Sequence, residues 1–262
     1  MGTEPIKRYL MCSGGKDSMA SAILCYENGI HLDGVVIAEV MFSNARNISA
    51  EHPRHAEWLH NVAIPTLENK FGYKVILLRS EKDYEYVFNR RVTRSKMHPE
   101  RVGKKAGFVL AMGCCLRRDC KIGVISKWCK QQDEYEEILG IAYDETERLV
   151  SLHKRKTARS VLEEYQITEA MTYDICKKYN LLSPHYASGR KRQGCWFCPN
   201  ASVAEMAAFE KEYPDLWNEL RVWSKDPDLV SKNFKYSRTF QSVDDEITLI
   251  NGQQTLFDLE GR

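Results

Sequence analysis

One stretch, Ser13-Gly14-Gly15-Lys16-Asp17-Ser18, constrains this chain more than any other. It follows an apolar run, Tyr9-Leu10-Met11-Cys12, that predicts a buried strand. It precedes Met19 to Tyr26, whose spacing predicts a helix ending at Asn28-Gly29. A glycine-rich turn between a strand and a helix N-terminus presents several backbone N–H groups, and the helix dipole adds partial positive charge. Glycine lets the backbone approach an anion closely, and Lys16 supplies a point charge. The stretch is therefore predicted to be a phosphate site. The spacing of a Walker A loop, GxxxxGK[ST], is absent.

Three further apolar runs predict strands: Gly34 to Phe42, Lys74 to Leu78 and Glu137 to Ala142. Continuous apolar strands alternating with helical patterns indicate a parallel sheet covered on both faces. Glu57 to Leu67 predicts a helix between the second and third strands, with a kink or break at Pro65. Ile167 to Cys176 predicts a helix capped by Thr168. In such a sheet the ligand lies beyond the carboxyl ends of the strands, near the switch point. The Ser13–Ser18 turn, Asn44 to Asn47 and Tyr143 to Arg148 all follow predicted strands and so fall there. The fold expected is α/β, with one nucleotide-binding domain over residues 1–205 and a polar, helical C-terminal section and tail over 206–262.

Net charge is +2, so any nucleic-acid surface must be local. Met1 to Leu10 has no apolar signal region, and no run approaches the ~20 apolar residues of a membrane span. The expectation is a soluble cytoplasmic protein. Five of its nine cysteines are clustered: Cys114, Cys115 and Cys120 in one segment, and a CxxC of Cys195 and Cys198 in another. A CxxC can place two thiolates on one metal or cluster face. The first group offers Cys114 and Cys120, with Cys115 as the substitute for either. Zinc, an iron–sulfur cluster and a plain reduced dithiol all fit this pattern. Cys12, Cys25, Cys129 and Cys176 sit on strand or helix patterns and read as small buried hydrophobes.

The hexapeptide looks like the SGGxDS pyrophosphate loop of the ATP pyrophosphatases. With Gly140 to Arg148 and Gly194-Cys195-Trp196-Phe197-Cys198-Pro199 following in order, residues 7 to 205 resemble the phosphoadenosine phosphosulfate reductase family in its broad sense. The match is to the phage and bacterial branch with a GCWFCP ending, similar to DNA phosphorothioation enzymes. The resemblance implies a HUP-type sheet that binds ATP with Mg²⁺. Ser13, Gly14, Gly15, Lys16, Asp17 and Ser18 would hold the phosphates, and Lys16, Asp17 and Ser18 would carry the catalytic roles. Glu39, Asp144, Glu145 and Arg148 would stand near the nucleotide or substrate; an acidic pair at 144 and 145 is equally explained as a helix cap. The resemblance also favours a [4Fe–4S] cluster on Cys114, Cys120, Cys195 and Cys198, with Zn²⁺ as the alternative. The assimilatory reductases take sulfite on a cysteine near the C-terminus, and here no cysteine follows Cys198.

The function this implies is an ATP pyrophosphatase that adenylates a substrate, nucleic acid in the leading reading, for sulfur transfer from a donor such as a cysteine desulfurase. A sulfonucleotide reductase using an external thiol and a non-catalytic nucleotide- or DNA-binding module are the alternatives. Arg90, Arg91, Arg94, Lys96, Arg101, Lys104 and Lys105, with Arg190-Lys191-Arg192, form basic segments that either hold a nucleic-acid backbone or are solvated loops. Gln253 to Phe257 fits a QxxLF pattern resembling sliding-clamp ligands.

Overall fold

The structure is a computed structural model that describes residues 6–110, 113–187 and 193–260, with residue 187 and those from 254 onward by backbone alone. The chain forms two compact units. The first comprises Met1–Glu39, Glu51–Ser80 and Lys121–Gln193; the second comprises Val40–Ala50, Glu81–Cys120 and Gly194–Arg262. The boundary expected at residue 205 is therefore replaced by a division in which two internal segments join the C-terminal part. Sequence separation is a poor guide here, because apolar runs from three segments bury one another.

The first unit is a parallel sheet. Its strands are β1 (Lys7–Cys12), β2 (Gly34–Glu39), β3 (Val75–Arg79), β4 (Tyr135–Leu139) and β5 (Ala158–Arg159), in the spatial order β3-β2-β1-β4-β5. Every neighbouring pair is parallel. The helices are α1 (Lys16–Glu27), α2 (Pro53–Trp58), α3 (Gly123–Cys129), α4 (Thr146–Leu152), α5 (Val161–Glu164), α6 (Glu169–Lys178) and α7 (Pro184–Ala187). Alternation along β1 shows both faces covered. Leu10 and Cys12 join the core formed with Met19, Ala20 and Ile23 of α1, whereas the Tyr9 ring meets Trp128 of α3 edge-on at 4.8 Å. The parallel sheet with helices on both faces expected from the sequence is the one observed.

Helix α1 is buried continuously from Ser18 to Cys25, so it has no polar face. A helix apolar all round is an interior helix. It is covered by Val161 and Leu162 of α5 and Cys176 of α6. That burial fixes the start of α1, and with it the preceding loop.

Three expectations change. The second strand ends at Glu39, and Met41–Ser43 pairs instead with Ile48–Ser49 in the second unit. The apolar run is continuous because Val35 and Ile37 enter one core while Val40 and Phe42 enter another. The fourth strand stops at Leu139, where the Ile141 amide donates back to the Leu139 carbonyl at 3.0 Å and turns the chain. The helix through Pro65 starts at Pro53 and does not break. Its turns widen to π-helix at Leu59–Ala63 and Thr66–Lys70, which accommodates the missing proline N–H.

The second unit has an aromatic core. Tyr84 and Phe197 stack at 4.1 Å, Trp196 and Phe209 at 5.0 Å, and Phe108 and Phe240 at 5.5 Å. Helices Val203–Glu212, Pro214–Ser224 and Phe240–Glu260 carry its C-terminal part, with short strands at Leu229–Ser231, Asn233–Lys235 and Arg238–Thr239.

Candidate functional site

The loop Ser13–Ser18 leaves the carboxyl end of β1, the strand from which the sheet grows in both directions. This is the topological switch point, where parallel sheets open a ligand crevice. Gly14 has φ +76°, which disfavours any residue with a Cβ. Gly15 caps α1 with no side-chain hydrogen bond, so the first turn of that helix is closed by other groups. Two hydroxyls brace the loop. Ser18 Oγ donates to the Gly15 carbonyl at 2.9 Å and accepts from the Ser13 amide at 3.2 Å, while Ser13 Oγ accepts from the Gly15 amide at 3.2 Å. The Gly14 amide points at Cys12 Sγ, 3.4 Å away.

Gly140 packs onto this loop from the end of β4. A Cβ there would lie 2.6 Å from the Ser18 nitrogen and 2.8 Å from the Asp17 carbonyl carbon. Backbone therefore rests on backbone, and the two central strands hold the loop between them.

Lys16 is not a free surface charge. Its side chain is 5% exposed, and Nζ donates to Asp17 Oδ1 at 2.7 Å and to Glu169 Oε1 at 2.8 Å. Burial works against the ammonium, but the two carboxylates outweigh it and raise its pKa above the ordinary 10.5. Thr172 Oγ1 lies 3.1 Å from Asp17 Oδ1 and 2.7 Å from the Glu169 carbonyl oxygen, holding Asp17 in place. The Lys16 amide donates to the Tyr186 hydroxyl at 3.4 Å, and Gln193 Nε2 donates to the Gly14 carbonyl at 2.8 Å.

His55 closes the other side of the loop. It is 1% exposed, and its ring edge would stand 3.1 Å from a Cβ at position 14. Its Nε2 is 2.8 Å from Glu51 Oε2 and its Nδ1 is 2.8 Å from Ser183 Oγ. Burial opposes the Glu51 charge, but the His55 hydrogen bond prevails and holds that carboxyl below the usual carboxylate range.

The remaining expected nucleotide residues are engaged locally. Glu39, 3% exposed, receives Arg79 Nε at 2.8 Å and Nη2 at 2.7 Å, with His60 Nε2 at 3.0 Å. Asp144 Oδ1 accepts the Glu169 amide at 2.9 Å, so Asp144 caps α6. Thr168 occupies the N-cap position with no side-chain bond of its own. Glu145 accepts the Ala142 amide at 3.0 Å and pairs with Arg148. Arg79→Ala should leave the buried Glu39 carboxylate, among the described residues, with His60 alone and cost about 2–3 kcal/mol. A urea titration checks this, and an unchanged midpoint would show that the Glu39 charge is held by His60 alone.

The cysteines behave differently from the expectation. Cys114 is exposed and accepts the Arg117 amide at 3.3 Å, while Cys115 and Cys120 are buried. Cys115, Cys120 and Cys195 belong to one apolar cluster, and Cys120 donates to the Lys82 carbonyl at 3.2 Å. Burial raises the Cys115 thiol, and Tyr84, buried among them, is raised by burial and by Cys115 and Cys195 nearby. The Cys198 amide donates to the Cys195 carbonyl at 3.0 Å, which forms the CxxC turn. Among the described residues no three cysteine, histidine or acidic side chains come together as a metal-holding group. Cys114 is exposed, whereas its neighbour Cys115 is buried.

Of the basic segment, Arg91 pairs with Asp228 at 3.0 Å and Lys105 with Asp226 at 2.7 Å, both within the second unit. Arg190-Lys191-Arg192 lies outside the described residues. Gln253 to Phe257 falls in the last helix, with its side chains from 254 onward also outside them. No helix among the described residues is long and apolar enough to cross a membrane.

Reading the sequence missed Glu169, Thr172, Tyr186, Gln193 and the Glu51–His55–Ser183 chain. Only Glu51 and His55 left a local signal, their i, i+4 spacing at the start of a helix.

No family model matches the chain, and no curated protein does. Among solved structures it is similar to the U34-tRNA thiolase NcsA from Methanococcus maripaludis with its [4Fe-4S] cluster. The identity is 12% over 88% of this chain and 74% of that one, with a TM-score of 0.40. At that identity and TM-score no residue role carries across.

Proposed function

We propose that this protein is an ATP pyrophosphatase that adenylates a substrate oxygen in preparation for sulfur transfer. The observation that carries the reading is the loop itself. Gly14 is in a left-handed conformation, Gly140 is pressed against the loop backbone, and Lys16 starts a buried helix at the switch point of a parallel sheet. In this reaction a substrate oxygen attacks the α-phosphorus of ATP, the bond to the β-phosphate oxygen breaks, and pyrophosphate leaves. A sulfide-level donor then bonds to the atom that carries the adenylated oxygen, the bond from that atom to oxygen breaks, and AMP departs with the oxygen.

Lys16 and the amides at the start of α1 would meet the departing pyrophosphate. Ser13 and Ser18 keep the loop in shape through their hydroxyl bridges. Mg²⁺ carried in with the nucleotide would supply charge neutralisation for the leaving group, while Asp17 holds the Lys16 ammonium at the loop. The sulfur half of the reading is supported by the cysteine-rich second unit, and nucleic acid as substrate by the family resemblance. No step is assigned to a cluster, because the described cysteines do not form a metal-holding set.

The test is product analysis with ATP, Mg²⁺ and a pool of transfer RNA or duplex DNA. AMP and pyrophosphate in equal amounts are expected. ADP with phosphate would replace the reading with an ordinary ATPase, sulfite released from adenylyl sulfate would favour the reductase, and tight binding with no product would leave a binding module. Iron and sulfide assayed on anaerobically purified protein, expected at about four each if a [4Fe–4S] cluster is resident, would decide the cofactor separately.

A further inference from the structure

Lys16 carries one positive charge and touches two carboxylates, so the group as it stands is net negative. That is an unfavourable welcome for a polyphosphate. The two carboxylates are not equivalent. Asp17 is 22% exposed and is held by Thr172 Oγ1. Glu169 is 52% exposed. Its backbone is pinned by its amide on Asp144 Oδ1 at the start of α6, so its side chain can rotate into water without any movement of that helix. A buried ammonium needs a partner when the loop is empty, and it needs free donors when an anion arrives.

We propose that Glu169 is an exchangeable counter-charge, which holds Lys16 in the empty loop and is displaced from it by the phosphates of the nucleotide. The inference rests on the reading of the loop as a nucleotide site and adds the residue that sets its affinity. Asp17 stays with Lys16 throughout and keeps the ammonium aimed at the loop. Glu169 acts through Lys16 and is a positioning residue, not a catalytic one.

The test is Glu169→Gln, a change at a half-exposed position that keeps the side chain's size. Inorganic pyrophosphate is titrated into wild type and variant by calorimetry, without Mg²⁺ and at low salt. Removing the competing charge is expected to tighten binding about five- to tenfold, and added salt should narrow the difference. In a Lys16→Met background the same change should give a clearly smaller gain, because only through-space repulsion is relieved and there is no ammonium to release. A merely structural role for Glu169 predicts weaker binding or none of this coupling. Unchanged or weaker affinity in Glu169→Gln overturns the proposal while leaving the loop a nucleotide site. A wild type and a variant that are folded and bind neither pyrophosphate nor ATP would overturn both.

Discussion

Replacing Gly140 with alanine should cut pyrophosphate formation by about 100-fold and lower stability by about 2–3 kcal/mol. The added methyl would sit 2.6 Å from the Ser18 nitrogen and 2.8 Å from both the Asp17 carbonyl carbon and the Ser18 Cα. All three are backbone atoms in the first turn of α1, and that turn cannot retreat, because α1 is buried from Ser18 to Cys25. The strain must move either the end of β4 or the phosphate loop. A displacement of a few tenths of an ångström at the loop misaligns the amides and Lys16 together. Gly252→Ala is the control: nothing lies within 4 Å of its Cβ position, and alanine is the better helix former. Turnover and the thermal midpoint, measured on both variants, check the argument. Wild-type turnover in Gly140→Ala would show that the loop is not supported from β4.

Local order and long-range order were not equally legible in the sequence. The strand, turn and helix from Tyr9 to Tyr26 could be read directly, because an apolar run, a glycine pair and a helical run each leave a local pattern. The shape of the sheet followed from runs of the same kind. The change of core between Glu39 and Val40 could not be read, since an apolar residue looks the same whichever core it enters. Gly140 was read as an interior residue of the fourth predicted strand, and its contact is with a loop more than 120 residues away, which no local pattern records. The same holds for Glu169, which reads as an ordinary first-turn acid of a helix and is one, yet also reaches Lys16. For the cysteines, spacing identified the group but not which of two adjacent thiols turns inward; that depends on the helical phase at Cys115 and Leu116, both buried.

Lys16→Met should abolish pyrophosphate formation, with a loss of at least about 100-fold, while the protein remains folded. The loss follows from chemistry: methionine fills similar space but cannot meet the charge that develops on the departing phosphate. The fold survives for a reason specific to this site. Removing one partner of a fully buried ion pair is costly, but Glu169 is half exposed and can turn to water, so Asp17 alone faces the loss. A destabilisation of about 1 kcal/mol is therefore expected near neutral pH. The pH dependence gives an independent check. Burial opposes the Lys16 charge, but Asp17 and Glu169 raise its folded pKa above 10.5, so its stabilising contribution is complete below that pH. It disappears as pH rises through the higher folded value, because the unfolded chain releases the proton first. Wild type and Lys16→Met should thus differ in stability by a constant amount from pH 6 to 9 and converge in strong alkali. Thermal melts across that range, run beside the turnover assay, separate the two roles. A variant that turns over normally would remove Lys16 from the chemistry, and one that loses turnover only because it unfolds would show the ammonium acting as a structural ion alone.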